Sequence, residues 1–298
     1  MFQYTAFGLN IASEIEFPEM FLSKNTELVD VHIRIGKTPK FIKDGRTENS
    51  ELQITPNEFL MHFKDVARYY ATEGNLIIAE PYPDANIKKL RLYLLCNAMA
   101  AIVHQRKLIP LHCSGIICKT GVAIIVGPSG AGKSTTVKAL TQKGYSIFAD
   151  DVCVIKSEKN KVLAIPSYPM MKLWDKSFDL LELENAKAED KIISEMNKYG
   201  VFFHDEFISE WKPVVKIFTI VKEEDSHKVL AEKQTGIDAF KIIAENTYRN
   251  YYVEPMKLNA IHFEMVSNLL RQCEVYKITR PADKNSIAEV VKIIEEKL

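Results

Sequence analysis

The sequence lacks an excess of charge of either sign, because Lys+Arg and Asp+Glu each number 39 among its 298 residues. A chain without net charge has no overall field that would attract nucleic acid or an anionic membrane surface. We therefore expect neither nucleic acid nor a membrane as a partner. The hydrophobic fraction of 47% and the charged fraction of 26% are typical of globular proteins, and the length allows two domains.

Cysteine is scarce and is not arranged in pairs. The five cysteines stand at positions 96, 113, 118, 153 and 273, and none belongs to a Cys-x-x-Cys sequence. An odd number without that spacing argues against a disulfide framework and against a zinc site. We expect buried thiols in a reducing compartment.

A long apolar run is also missing. The most apolar stretch, residues 92–103, has 12 residues and is flanked by lysines and arginines, whereas a membrane span needs about 20. The opening residues, MFQYTAFGLN, have neither the basic region nor the apolar region of a signal peptide. These features predict a cytoplasmic protein in which residues 92–103 form a buried helix.

The patterns along the chain predict three parts. Residues 1–84 contain short segments that alternate apolar and polar side chains, such as 28–36, with turn residues between them, and they predict a β-rich N-terminal domain. Residues 85–106 predict a connecting helix that Asp84 or Asn86 caps. Residues 107–298 alternate strand and helix patterns and predict an α/β domain.

Within the α/β part, the patterns predict specific elements. We expect a hairpin that turns at residues 119–121, one strand over 145–155, another over 162–174, and helical structure in 175–212. Further helices are expected over about 237–248, 259–272 and 285–298, the last with Ile287, Val290, Val291, Ile294 and Leu298 on one apolar face.

The residues GPSGAGKST, 127–135, match the phosphate-binding pattern GxxxxGK[ST] between a strand pattern and a helix pattern. Glycines let the backbone N–H groups turn toward phosphates, and a helix N-terminus adds partial positive charge. Lys133 can reach the β- and γ-phosphates, and Ser134 can bind Mg²⁺. The motif predicts binding of ATP with Mg²⁺. The expected nucleotide ligands are Gly127, Ser129, Gly130, Ala131, Gly132, Lys133, Ser134 and Thr135.

Two adjacent aspartates, Asp150 and Asp151, follow Ser134 by 16 and 17 residues. Only one helix fits into that interval, so we expect the aspartate strand to lie directly beside the strand that enters the glycine loop. Side chains alternate along a strand, so only one carboxylate would face the phosphates unless the strand ends there. Such a carboxylate can bind Mg²⁺ or accept the proton of an attacking hydroxyl. A solvated turn is the alternative.

Three further side chains are candidates. His112 precedes the expected hairpin, whose geometry brings it toward the phosphate end of the sheet, and a purely structural histidine is the alternative. Arg249 and Arg280 could bind phosphate through charge-assisted hydrogen bonds, or they could form surface salt bridges.

The segments LHCSG, GVAIIVGPSGAGKST and GYSIFADDV resemble the catalytic core of the HPr kinase/phosphorylase family. In that family a histidine stands 15 residues before the first loop glycine, as His112 does here, and an aspartate pair follows the loop serine at the spacing found here. The resemblance implies an α/β P-loop core like the C-terminal domain of HPr kinase and like phosphoenolpyruvate carboxykinase, with the loop strand and the aspartate strand as neighbours. It implies that His112 and Lys133 act on the phosphates and that Ser134 binds Mg²⁺. It also implies that Asp151 accepts the proton, with Asp150 beside it.

Segments outside that core, among them YTAFGLNIASEIEFPE and VYKITRP, resemble a subgroup of HPr-kinase-like proteins that phosphorylate a C-terminal serine of lasso-peptide precursors. The resemblance implies a precursor peptide ending in serine as the acceptor. The Glu-Arg-Gly-Leu-Gly motif of HPr kinases, which supplies a second metal ligand and serves phosphorolysis, has no counterpart in the sequence. A kinase of a small alcohol or of an HPr-like protein and a nucleotide-switched binding module are alternatives. The oligomeric state, including a homo-oligomer, stays open.

Overall fold

The computed structural model of the chain describes residues 1–23, 28–49, 51–159, 161–174, 191–192 and 198–298. It divides into two compact units. The first comprises Met1–Pro110 with Tyr248–Phe263, and the second comprises Leu111–Thr247 with Glu264–Leu298. This division differs from the three parts expected from the sequence. Residues 85–106, expected as a separate connecting helix, belong to the first unit, and so do residues 248–263.

The first unit is built on a mostly antiparallel sheet. Its strands are β1 (Phe2–Ala6), β2 (Leu9–Ser13), β3 (Phe21–Leu22), β4 (Val31–Ile35), β5 (Arg46–Asn49), β6 (Leu52–Ile54), β7 (Glu58–Phe63), β8 (Ala67–Thr72) and β9 (Leu76–Pro81). They lie in the order β3-β1-β2-β4-β9-β8-β7-β6-β5. These strands confirm the β-rich N-terminal region expected from the alternating patterns. Alternate residues of β8 are buried, as the alternation of apolar and polar side chains indicates.

One helical segment covers part of this sheet. It consists of α1 (Ile87–Tyr93), a π-helical turn (Leu94–Ala98) and α2 (Met99–Gln105). Asn86 caps α1 by accepting hydrogen bonds from the backbone N–H groups of Lys88 and Lys89. The π turn and α2 pack on β8, which explains why this apolar segment is buried. Within the described ranges, no helix is both long and apolar enough to cross a membrane.

The second unit mixes helices and strands. Its elements are β10 (Ile109–His112), at which the two units divide, β11 (Ser114–Cys118), β12 (Gly121–Val126), α3 (Lys133–Gln142), β13 (Ile147–Ala149), β14 (Val152–Glu158), β15 (Lys161–Pro166), β16 (Met170–Trp174), β17 (Lys198–Phe202), β18 (Lys212–Glu223), β19 (Leu230–Gln234), α4 (Gly236–Glu245), α5 (Asn259–Gln272, which begins in the first unit), β20 (Glu274–Pro281) and α6 (Ile287–Lys297). Single 3₁₀ turns lie at His204–Glu206 and, in the first unit, at Asn250–Tyr252. The mixed α/β organisation is confirmed.

The strand directions in the second sheet define the edge at which the site lies. The order is β10-β14-β15-β18-β12-β11-β13, with β20 paired to β18 and β19 paired to β20. Strands β12, β18 and β20 are parallel neighbours, and β13 runs in the same direction because it is antiparallel to β11, which is antiparallel to β12. The carboxyl ends of β12, β13, β18 and β20 therefore meet at one edge, where open α/β sheets bind ligands.

Two expectations about the aspartate strand were wrong. Strand β11 lies between β12 and β13, because the tight hairpin at residues 119–121 folds β11 directly against β12 and occupies the place expected for the aspartate strand. The single strand expected over 145–155 is two strands, β13 and β14, separated by Asp150 and Asp151. Asp151 has a φ of 67°, a left-handed conformation that ends a strand.

Helices α3 and α6 pack together against the second sheet. Val290, Val291 and Ile294 of α6 are fully buried, as the apolar face predicted, whereas Leu298 is 38% exposed. The helical pattern over 175–212 lies for the most part outside the described residues, and the described part contains β17 and a 3₁₀ turn. The strand expected over 162–174 is divided into β15 and β16.

Candidate functional site

The glycine loop connects the end of β12 to the first residue of α3, Lys133. Gly127 has a φ of 136°, and a β-carbon there would lie 2.5 Å from the carbonyl oxygen of Ile220 in β18. Only glycine therefore allows β12 to turn into the loop so close to β18. The N–H of Gly127 donates to the side-chain oxygen of Asn246 at 2.9 Å, which holds the start of the loop in place.

A cavity of about 290 Å³ opens beside this loop. Its walls come from the carboxyl edge of the sheet, from the first turn of α3 and from the start of α6. The lining residues are His112, Ser114, Ser129, Gly130, Gly132, Lys133, Ser134, Thr135, Asp150, Asp151, Lys172, Trp174, Lys222, Arg280 and Ile287. The structure thus brings the loop, the aspartate pair, His112 and Arg280 to one cavity.

Both aspartates line the cavity because the turn between β13 and β14 breaks the alternation of the strand. Asp150 is 1% exposed, and its carboxylate accepts hydrogen bonds from the Ser114 hydroxyl at 2.5 Å and from the Lys172 backbone N–H at 2.8 Å. Burial raises the pKa of Asp150, and these two hydrogen bonds act in the opposite direction. Asp150 is consequently a buried carboxylate that two hydrogen bonds hold in place, and its oxygens are potential metal ligands.

Asp151 has a different environment. One of its carboxylate oxygens forms an ion pair with the ammonium of Lys172 at 2.5 Å, and the other lies 3.8 Å from Nδ1 of His112. The side chain of Asp151 is 14% exposed and that of Lys172 is 8% exposed. Asp151 is therefore the more accessible of the two carboxylates, and Lys172 fixes its position.

His112 lies between Lys133 and Asp151. The ammonium of Lys133 is 3.1 Å from Nε2 of His112, and Nδ1 is 2.9 Å from the carbonyl oxygen of Asp151. An ammonium only donates, so Nε2 accepts and Nδ1 carries the hydrogen that it donates to the carbonyl. Burial lowers the pKa of His112, which favours this neutral form. His112 therefore helps to orient Lys133, whose ammonium also donates to the carbonyl of Gly127 at 2.7 Å.

Ser134 follows Lys133 in the first turn of α3 and faces the same oxygen-rich corner. Its hydroxyl oxygen is 3.5 Å from that of Ser114, which in turn donates to Asp150. Three oxygen-bearing side chains thus lie in a row beside the loop. Among the described residues, no group of three His, Cys, Asp or Glu side chains is placed to hold a metal ion, so a metal here would need ligands from Ser134 and from a bound substrate.

The two arginines expected to bind phosphate lie in different units. Arg280, near the end of β20, lines the cavity and is 8% exposed. Arg249 belongs to the first unit, where its guanidinium donates to the Cys96 carbonyl at 3.2 Å and to the Tyr251 hydroxyl at 3.3 Å. A role of Arg249 toward phosphate stays a prediction.

Five lining residues were not predicted as site residues: Ser114, Lys172, Trp174, Lys222 and Ile287. For Lys172 a signal was available, because a lysine inside the apolar segment MMKLW must find a partner when the strand is buried. Lys222 carries no such signal, since a lysine at the end of a strand is ordinarily solvated. Its place in the cavity follows from the pairing of β18 with β20.

Fold and cavity together define a mixed α/β protein with a loop-and-carboxylate site at the carboxyl edge of its second sheet. No family model and no curated protein matches the chain. Among solved structures, the chain is similar to the structure of the Hpr(Ser) kinase/phosphatase from Coxiella burnetii, with 14% sequence identity, coverage of 63% of this chain and 89% of that chain, and a TM-score of 0.34. A likeness of that size carries no functional weight, so a function has to be inferred from the cavity itself.

Proposed function

We propose that the protein is a Mg²⁺-dependent kinase that transfers the γ-phosphoryl group of ATP to a hydroxyl group. The observation that carries this proposal is the meeting of the glycine loop, Lys133 and the two aspartates in one cavity. Phosphoryl transfer needs donors for the phosphates, oxygen ligands for a metal and a carboxylate for the attacking hydroxyl. A binding module without turnover has no need of the last.

The nucleotide phosphates are proposed to bind to the backbone N–H groups of residues 127–135 and to Lys133. Ser129, Gly130 and Thr135 line the cavity beside Lys133, and the N-terminus of α3 adds partial positive charge there. Lys133 is already directed into this region by its hydrogen bonds to Gly127 and His112. Little rearrangement would be needed before it donates to phosphate oxygens.

Ser134 and Asp150 fit a magnesium ion, with Asp151 as a further candidate ligand. Mg²⁺ in kinases is bound by one or two protein oxygens together with substrate phosphates and water. The Ser134 hydroxyl and the buried carboxylate oxygens of Asp150 match that requirement. A cation would also offset the burial that raises the pKa of Asp150. Bound Mg²⁺ would neutralise charge on the β- and γ-phosphates.

Asp151 is proposed to accept the proton of the attacking hydroxyl. A bond forms between the hydroxyl oxygen and the γ-phosphorus, the bond from that phosphorus to the oxygen of the leaving ADP breaks, and the proton goes to the Asp151 carboxylate. Asp151 suits this step better than Asp150, because it is more exposed and because Lys172 holds its orientation.

We propose the serine hydroxyl of a precursor peptide of the lasso type as the acceptor, with the serine at the C-terminus. The support is the sequence resemblance described above, together with the missing Glu-Arg-Gly-Leu-Gly motif, which argues against HPr. The oxygen would lie about 3–3.5 Å from the γ-phosphorus and in line with the leaving oxygen. A terminal carboxylate would then need a cationic partner, for which Arg249 and Arg280 are the sequence-based candidates.

We expect ADP formation to depend on the acceptor. Purified protein would be incubated with ATP and Mg²⁺ together with a precursor peptide that ends in serine, its Ser→Ala form, its C-terminal amide, or HPr, and the products identified by mass spectrometry. The free-acid peptide should gain one phosphoryl group, the Ser→Ala form none, and the amide should show a raised KM because a charge-assisted contact is lost. Efficient phosphorylation of HPr with an untouched peptide would contradict the proposed acceptor, and an absence of transfer to any hydroxyl would contradict the kinase.

Lys172→Met is expected to lower kcat by roughly 10- to 100-fold with little change in the affinity for ATP, as found when a residue that orients a catalytic ligand is removed. The backbone N–H of Lys172 still holds Asp150 in this variant, so the loss reflects the position of Asp151. Steady-state kinetics and calorimetry measure the two effects.

Lys172→Arg keeps the positive charge and should restore part of kcat, while a merely structural lysine would show parallel losses of stability and activity in both variants. Because Lys172→Met leaves a buried carboxylate without its cation, the melting temperature of each variant is measured first. An unchanged kcat in Lys172→Met would contradict the positioning role.

A further inference from the structure

The cavity carries more positive than negative charge. Four cationic side chains line it, Lys133, Lys172, Lys222 and Arg280, against two carboxylates, and His112 is neutral in the arrangement described above. Lys133 lies on the loop and Lys172 is paired with Asp151. The excess therefore includes Arg280, which the proposed reaction uses only as one of two candidates for binding a terminal carboxylate.

Arg280 is a buried cation without a compensating anion in the described structure. It is 8% exposed, and no carboxylate of the described residues forms an ion pair with it. Its Nη1 lies 3.5 Å from the carbonyl of Pro281, at the limit of a hydrogen bond, and its buried Nε has no partner among the described atoms. Burial of an uncompensated guanidinium is costly, and a ligand that supplies the anion would explain why it lines a cavity.

Lys222 lies beside Arg280 at the same edge of the sheet. The two residues are partners in the register of the parallel strands β18 and β20, and both line the cavity. An oxyanion bound between the two side chains would interact with both positive charges. The fork of a guanidinium together with an ammonium suits a phosphate or a carboxylate.

The position of this pair relative to the loop is fixed by the strand order. Strand β12, which leads into the loop, has β18 on one side and β11, followed by β13, on the other. Lys222 and Arg280 therefore flank the loop on the side opposite to the aspartates. Four strand steps separate β13 from β20, which corresponds to roughly 19 Å at about 4.8 Å per step, although the long side chains shorten the gap.

We propose that Lys222 and Arg280 form an oxyanion subsite of the cavity, distinct from the loop that binds the nucleotide. Two sources share this chemistry: a terminal phosphate of the nucleotide and a carboxylate of the acceptor. The placement favours the nucleotide, because a carboxylate on the same serine as the attacking hydroxyl stays next to Asp151. The identity of the ligand rests on the proposed kinase function, whereas the subsite itself rests on the burial and charge of Arg280.

The test compares Arg280→Met and Lys222→Met with Lys277→Met, a matched control on β20 whose lysine is paired with Glu223 and does not line the cavity. For each protein, the Tm is measured without ligand and with inorganic phosphate, and the affinities for ATP and ADP are measured by calorimetry. KM is measured for the free-acid and amidated peptides. Lys133→Ala is included because it reports on the loop separately.

With a nucleotide phosphate as the ligand, Arg280→Met and Lys222→Met should weaken ATP binding by about 10- to 100-fold and ADP binding less, while Lys277→Met changes neither. With an acceptor carboxylate as the ligand, nucleotide affinity stays unchanged and the difference in KM between free acid and amide disappears. In both cases the ligand-free Tm of Arg280→Met is not lowered, because an uncompensated charge has been removed, and the stabilisation by phosphate is reduced.

The subsite is overturned if Arg280→Met lowers the ligand-free Tm like an ordinary core substitution and keeps the full response to phosphate, ATP and the free-acid peptide. The kinase proposal fails separately, when neither wild type nor Lys277→Met transfers phosphate to any acceptor. In that event, a phosphate response that survives in Lys133→Ala and is lost in Arg280→Met still supports the subsite.

Discussion

Lys133→Ala is expected to abolish detectable phosphoryl transfer and to weaken the binding of ATP with Mg²⁺ by about 10- to 100-fold, the value of a hydrogen bond to a charged group. The ammonium of Lys133 is held between the loop carbonyls and His112, so its removal takes away the cation nearest to the proposed phosphates. Calorimetric titration measures the affinity, and ADP release in the presence of the acceptor measures turnover.

Lys138→Ala provides the matched control, since Lys138 lies on the same helix, α3, and lines a different cavity. It should bind ATP and turn over as the wild type does. Circular dichroism is needed to show that Lys133→Ala is folded. If a folded Lys133→Ala variant binds ATP normally and keeps its turnover, the loop is not the nucleotide site and the assignment of the motif is wrong.

Asp151→Asn is expected to lower kcat by about 10²–10⁴-fold, the usual contribution of a general base. Asparagine keeps the shape of the side chain and tolerates the left-handed backbone at this position, where φ is 67°, so the turn between β13 and β14 should survive. An amide cannot accept the proton. Affinity for ATP should be nearly unchanged, with a weaker dependence on Mg²⁺ if Asp151 is also a metal ligand.

Asp150→Asn separates the two carboxylates. Asp150 is buried and accepts hydrogen bonds from Ser114 and Lys172, so its replacement should raise the Mg²⁺ concentration needed for half-maximal activity more than it lowers kcat at saturating Mg²⁺. Kinetics over a series of Mg²⁺ concentrations compare the two variants. If, at saturating Mg²⁺, kcat is strongly lowered in Asp150→Asn and nearly unchanged in Asp151→Asn, the proposed roles of the two carboxylates are reversed.

Local sequence was sufficient for the elements whose patterns are local. The strand before the glycine loop and the helix after it follow from an apolar run, three glycines and a helix-forming segment, and helix α5 spans the expected residues. The sequence limited the cap of α1 to Asp84 or Asn86, because capping involves only residues two and three positions away, and the structure shows that Asn86 is the cap. The burial of α6 follows from its periodicity.

Turns with uncommon residues were less predictable. Strands β1 and β2 form a hairpin around Phe7 and Gly8, both with positive φ. Phenylalanine is rare in that conformation, so the segment lacks the Asn-Gly signal of a tight hairpin. The break between β13 and β14 was also not predicted. Apolar residues continue on both sides of Asp151, and nothing in that pattern indicates its φ of 67°.

By itself, the sequence determined which residues form the glycine loop and that Asp150, Asp151 and His112 are candidates beside it, because the motif and its spacings are local. Only the tertiary structure decided that β11 separates the loop strand from the aspartates, and that Lys172 holds one carboxylate by its backbone and the other by its side chain. It alone placed Lys222 beside Arg280. These contacts join residues that are far apart in the chain, and they depend on strand order and register, which are set by the packing of the whole sheet rather than by any local pattern.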